Sequence, residues 1–319
     1  MIIKYLIHVI ILYVNIVYAD QNKVLVIING QIRGGKIAWN SLKHYVLDFY
    51  DADLAYMGPP TTNHSFVYQR AKYLWLTKER DDWGEILDDA NNGNTSWREL
   101  CRFNQETHQV EYQKFRLQFL GGVKNCHPGS AGILLAYRYL AFNFIQESNL
   151  QNIYDWFIYT RSDYTYLCSP PKIDSFLPKV YVQSVCGYGG LSDRHTYIPS
   201  GLVLSVLNLT ADLVSDWHFY YNLKMVHHNL ENLIMHYFIK KGIPYEFFRH
   251  TGFTVRAEND PTRWTEGKVH EKLIDTGLKV KYPEELDEAS KNCEVWHHFY
   301  DSNGILKDSS QEQNPKKWI

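Results

Sequence analysis

The chain is predicted to be α/β, a layered α/β/α sandwich on a mixed, mostly parallel sheet. Three observations point there. Short β-branched apolar runs alternate with stretches of helical hydrophobic period. Glycine- and proline-marked turns separate them, as at Gly58-Pro59-Pro60 and Gly242. The 319 residues are 45% hydrophobic and 21% charged, enough for a large core and too apolar for disorder. Residues 20–319 are expected to form one domain, with two lobes as the alternative.

The first nineteen residues are set apart from that fold. Lys4 precedes a largely apolar run from Tyr5 to Tyr18, and Val17-Tyr18-Ala19 has the small-residue form of a cleavage site. This reads as a secretory signal peptide. The alternative, a short signal anchor, must contend with His8 and Asn15 and with a run shorter than the ~20 residues of a span. The expected location is the lumen of the secretory pathway or the exterior, with membrane contact only if the segment is retained. The acceptor triplets at Asn63, Asn94 and Asn208 agree with glycosylation there. Cys101, Cys126, Cys168, Cys186 and Cys293 allow two disulfides and one thiol, and none is spaced as a metal knuckle.

The elements follow in order. Lys23 to Asn29 is a strand, Gly30 to Gly35 a turn, and Ile37 to Leu47 a helix. Ala52 to Met57 is a second strand, completing a β-α-β opening. Composition then turns polar from Lys78 to Asn125, an insertion of short helices and loops. A helix from Gly129-Ser130 to Glu147 places Leu134, Tyr137, Ala141, Phe144 and Ile145 at helical spacing. Strands are predicted at Asp155–Tyr164, Val180–Val185 and Gly201–Leu207. Helices follow at Thr210–Asn222 and His228–Lys241, the second stopped by Gly242. Strands at Tyr245–Phe248 and Phe253–Arg256 close the sheet.

Four constellations could carry chemistry. In Gly30-Gln31-Ile32-Arg33-Gly34-Gly35, backbone N–H groups at a helix start could meet a phosphate, with Arg33 as counter-charge. It matches neither the dinucleotide fingerprint nor the P-loop spacing. Arg161-Ser162-Asp163 ends an apolar strand, so Arg161 and Asp163, two apart, should project together where open α/β sheets collect ligands. Gly189-Gly190-Leu191-Ser192-Asp193-Arg194-His195 brings Asp193 and Arg194 into a glycine-rich loop. Glu231, in His227-His228-Asn229-Leu230-Glu231, is a carboxylate at a helix start, where the helix end favours its ionised form. Each has a plainer structural reading: a tight turn, a surface ion pair, a turn-stabilising Asp, a first-turn acid.

An apolar strand ending in a short acidic motif resembles the Asp-x-Asp element of GT-A glycosyltransferases. More narrowly, strand-Gly-Gln-Ile-Arg and Tyr-Thr-Arg-Ser-Asp-Tyr are similar to a group of capsular-polysaccharide-type and large-virus glycosyltransferases with Arg-x-Asp instead. The resemblance runs from about Lys23 to Trp264. It implies a GT-A-like, Rossmann-like fold and a nucleotide-sugar donor whose diphosphate meets Gly30, Gln31, Arg33, Arg161 and Asp163. Asp163, with His298 of the His297-His298 pair, is the implied holder of a Mn²⁺ or Mg²⁺ ion, and replacement of the first Asp by Arg161 implies weaker metal binding or none needed. Arg194 and Trp264 fall on the acceptor side, and Glu231, or failing it Asp193, takes the acceptor proton.

The expected activity is transfer of a sugar from a nucleotide-diphosphate donor to a hydroxyl of a glycan or glycoprotein. A secreted, non-catalytic carbohydrate-binding protein on a degenerate scaffold is the alternative. A glycoside hydrolase would need two carboxylates about 5–10 Å apart, which no spacing in the sequence proposes. The formal charge of −2 gives no reason to expect nucleic acid as a partner.

Overall fold

The computed structural model describes residues 22–60, 65–101, 117–127, 129–184, 187–223, 225, 228–260, 267–270, 273 and 276–293. The N-terminal segment, Asn63, Cys186, Trp264, His297 and His298 lie outside them.

β1 (Val24–Asn29) is buried along its whole length. Helix α1 (Gly35–Leu42), continued as a wider turn to Leu47, returns the chain to β2 (Asp53–Gly58), and α2 (Phe66–Arg70) leads to β3 (Tyr73–Leu76). After α3 (Gly84–Ala90) come α4 (Ala131–Glu147), β4 (Trp156–Thr160), β5 (Tyr164–Tyr166), β6 (Val180–Gln183) and β7 (Thr196–Pro199). Helices α5 (Ser200–Leu207), α6 (Leu209–Ser215), α7 (Trp217–Asn222) and α8 (Leu230–Lys241) run to β8 (Tyr245–Phe248) and β9 (Gly252–Arg256). Two short strands, β10 (Lys268–Val269) and β11 (Lys279–Val280), and helix α9 (Pro283–Asn292) complete the described chain.

Seven strands form the main sheet in the order β3-β2-β1-β4-β7-β6-β8, with β7 alone running against the others. The expected α/β architecture with a mixed, mostly parallel sheet is therefore present. Successive strand residues serve opposite faces, as the period of two requires. Leu25 and Ile27 join the core beneath α4, α5, α6 and α8. Val24, Val26 and Ile28 join a second core beneath α1. On that second face the layer is not helical throughout. A four-stranded sheet, β10-β11-β9-β5, backed by α9, packs beside α1.

Several expectations are corrected. Gly201–Leu207 is not a strand but part of α5. An apolar run of that length fits either period, and burial of Val203, Val206 and Leu207 shows the helical one. The strand predicted over Asp155–Tyr164 stops at Thr160, so Arg161 and Asp163 stand in a turn between β4 and β5. β9 does not close the main sheet but pairs with β5 in the smaller one. Within the described part of the polar stretch after Lys78, the short helices and loops pack onto the core. Trp83 and Trp97 are buried in the core, Arg98 pairs with Asp82 and Asp88, and a disulfide joins Cys101 to Cys126. A second disulfide joins Cys168 to Cys293. Among the described residues no helix is long and apolar enough to cross a membrane. Asn94 is exposed in a loop, while Asn208 is half-buried between α5 and α6.

Candidate functional site

The chain builds β1, β2 and β3 outward in one direction, then places β4 on the other side of β1. The C-terminal ends of β1 and β4 thus flank the point where strand order reverses, the place where open α/β sheets bind ligands. Ile28 lies beside Thr160 in the register, and Asn29 Nδ2 donates to Thr160 O at 3.1 Å. The turns after the two strands, Gly30–Gly34 and Arg161–Asp163, meet directly. Ser162 Oγ accepts from Arg33 N at 2.8 Å and donates to Gln31 O at 3.1 Å.

That contact alters the role of the glycine turn. The N–H groups expected to meet a phosphate are largely committed within the protein. Gly30 N donates to Met57 O at 2.8 Å, Arg33 N to Ser162 and Gly34 N to Asp260 Oδ2 at 2.9 Å. What the turn offers is the Arg33 side chain. Its Nη2 donates to Gln31 Oε1 at 2.7 Å, while Gln31 Nε2 donates to Glu79 at 2.8 Å. Arg33 Nε is buried without a hydrogen-bond partner, and so is Asn29 Oδ1. Burial lowers the Arg33 pKa, and the neighbouring Arg161 cation adds to that.

Arg161 and Asp163 do project together, but onto each other. Arg161 Nε and Nη2 donate to Asp163 Oδ1 and Oδ2, both at 2.7 Å. Burial alone would raise the Asp163 pKa, and the paired guanidinium outweighs it and holds the carboxylate well below its ordinary range. The plain structural reading of this motif, an ion pair, is therefore realised, in a buried and bidentate form. The pair is nonetheless at a cavity wall. A small cavity of about 70 Å³ is lined by Asn29, Gln31, Arg33, Arg161 and Asp163. A larger one of about 520 Å³, lined by Arg161, Asp193, Arg194, Glu231 and Lys281, adjoins it through Arg161, Ser130 and Leu134.

The larger cavity brings together residues far apart in sequence. Arg194 is 3% exposed and faces three carboxylates: Glu285 Oε1 at 3.2 Å from Nε, Glu231 Oε1 at 3.6 Å from Nη2 and Asp193 Oδ1 at 3.9 Å from Nη1. Its guanidinium lies 5.3 Å from the Tyr188 ring centre and 4.5 Å from that of Tyr282. Arg194 is thus a fixed hub for the acids. Glu231, in the first turn of α8 after the Asn229 cap, is buried. Burial and the Asp193 charge raise its pKa to about 7 against the pull of Arg194. The backbone N–H of Glu231 itself lowers the pKa, the direction expected at a helix start, but burial outweighs it. Asp193 and Glu231 both contact Arg194 and line the larger cavity, two carboxylates brought together that no sequence spacing proposed.

Sequence reasoning missed Lys281, Tyr282 and Glu285. Tyr282-Pro283-Glu284-Glu285 does carry a helix-start signal, Pro in the first turn followed by acids, which would have located α9. Nothing in sequence marks Lys281, which follows the two-residue β11. Burial lowers its pKa to about 8, with Arg161 next in effect. Among the described residues no three His, Cys, Asp or Glu side chains come together as a metal site. Around Asp163 the described groups do not fit Mn²⁺ or Mg²⁺, because both carboxylate oxygens are taken by Arg161 and the other close charges are cations.

Fold and site together define an α/β protein of Rossmann-like architecture with a charged cavity at its strand-order reversal. No family model matches the chain, and no curated protein does. Among solved structures, it is similar to a glycosyltransferase involved in the glycosylation of the major capsid of PBCV-1. The TM-score is 0.33 at 6% sequence identity, over 70% of this chain and 81% of that one. A likeness of that size says nothing about activity.

Proposed function

We propose that the chain is a GT-A-like glycosyltransferase, moving a sugar from a nucleotide-diphosphate donor to a hydroxyl of a glycan or glycoprotein. The observation that carries this reading is the shared lining of one cavity of about 520 Å³ by Glu231 and Arg161. A carboxylate held near neutral pKa can take an acceptor proton, and a cation can receive a leaving diphosphate. The volume falls within the ~300–1,000 Å³ range of small-molecule sites.

In the proposed reaction the acceptor oxygen attacks the anomeric carbon and the bond from that carbon to the diphosphate oxygen breaks. The acceptor proton passes to Glu231. The bonding pair leaves with the diphosphate, whose growing charge is met by Arg33 and by Arg161 beside it. Asp193 lies where it can bind a sugar hydroxyl, and Arg194 positions both acids.

A second reading is favoured by one observation: Arg161 and Asp163 neutralise each other. A carbohydrate-binding protein on the same scaffold would keep that pair for stability and use the larger cavity for a glycan alone. Thermal-shift screening of the full chain against nucleotide sugars, with and without Mn²⁺, separates the two. At least one donor should raise the Tm of the parent, and Arg33→Ala should remove the shift. Stabilisation by free glycans with no response to any nucleotide would establish the second reading instead.

A further inference from the structure

Resting on the glycosyltransferase reading, the charges around the β1–β4 reversal point to a partner for Arg33 that the motifs do not contain. Arg161 carries a formal charge, but Asp163 already cancels it at 2.7 Å. Arg194 is outnumbered by Asp193, Glu231 and Glu285. Both cations are thus largely neutralised within the protein, so a diphosphate reaching Arg161 needs further positive charge beside it. Two others supply it. Arg33 makes no ion pair among the described residues, and neither does Lys281, which interacts with Asp163 and Asp193 only at longer range.

These two cations flank the neutral pair. Arg33 lines the small cavity, Lys281 the large one, and Arg161 lines both. Each senses both members of the Arg161–Asp163 pair. Lys281 is held there by backbone, because its N–H donates to Thr254 O at 2.9 Å, and its Nζ lies 5.2 Å from the Tyr282 ring centre. A half-buried ammonium with no directly paired carboxylate among the described residues costs free energy that a ligand's negative charge offsets. We propose that Lys281 is a diphosphate-binding residue, taking one phosphate on the cavity side of Arg161 while Arg33 takes the other. The small second sheet thereby serves the site, since Lys281 directly follows β11.

The test is calorimetric titration of the full chain with inorganic pyrophosphate. Lys281→Ala should weaken binding by about tenfold or more, and Lys281→Arg, which keeps the charge, should restore most of it. Lys268→Ala, on exposed β10, serves as the control and should change nothing. Amine labelling of the parent chain with an N-hydroxysuccinimide ester, read by mass spectrometry, needs no variant: pyrophosphate should protect Lys281, and glucuronate should not. Pyrophosphate binding that is indifferent to Lys281, with no protection, overturns the assignment and leaves the transferase reading standing. Protection by glucuronate alone overturns it in favour of a sugar carboxylate. A parent chain that binds neither pyrophosphate nor any nucleotide sugar overturns both readings.

Discussion

Glu231 stands in the first turn of α8, where a helix end stabilises a carboxylate, yet burial beside Asp193 raises it to about 7. The folded protein therefore holds its proton far more tightly than an ordinary glutamate at 4.5 does. A raised pKa adds stability that is complete below the unfolded value and is lost as pH rises through about 7. Glu231→Gln should consequently be more stable than the parent at pH 8, on the order of 1–3 kcal/mol, with the advantage vanishing toward pH 4–5. Calorimetric melts at the two pH values check this, and equal differences at both would refute it. The same substitution should lower transfer by roughly 10²–10⁴, and the parent rate should climb with pH through about 7. Stability gained where activity is lost is the pattern expected of a residue kept for function.

At the scale of elements, the site depends on how closely two turns approach. Gly34 has φ +83°, and a Cβ there would lie 2.8 Å from Ala38 Cβ and 2.9 Å from Asp163 Cα. Neither neighbour is the end of a flexible chain, so any side chain would force the β1 and β4 turns apart. Gly34→Ala should cost at least the ~1–2 kcal/mol of a left-handed non-glycine residue. It should also abolish pyrophosphate binding, because Arg33 and the Arg161–Asp163 pair would lose their common register. A denaturant melt and a titration on one preparation measure both effects. Retained binding would show that the turns act independently.

Across the whole molecule, the small sheet and α9 govern the acids as well as Lys281, since Glu285 of α9 anchors Arg194. The Cys168–Cys293 disulfide ties this unit together across 125 residues, joining the segment after β5 to the end of α9. Chain-entropy arguments give a link of that span about 4–5 kcal/mol, in a model-dependent way. Replacing both cysteines by Ser should lower unfolding free energy by roughly 2–5 kcal/mol in a denaturant titration. No measurable loss would mean the unit is secured by packing alone. Local pattern was enough for β1, α4 and α8, because burial on a single stripe or on both faces leaves a period in the residues themselves. It was also enough to single out Arg33, Arg161, Asp163, Asp193, Arg194 and Glu231, which line the two cavities. Local pattern could not separate helix from strand at Gly201–Leu207, where a short apolar run fits both. The sequence by itself determined the alternation of strands and helices and the residue types available for chemistry, because both are written in nearest-neighbour order. Only the tertiary structure decided that Arg161 is paired with Asp163, that the Glu231 pKa is raised to about 7 and that Lys281 lines the larger cavity. Charge state depends on which groups meet across the fold, and Coulomb forces act over distances that sequence spacing does not encode.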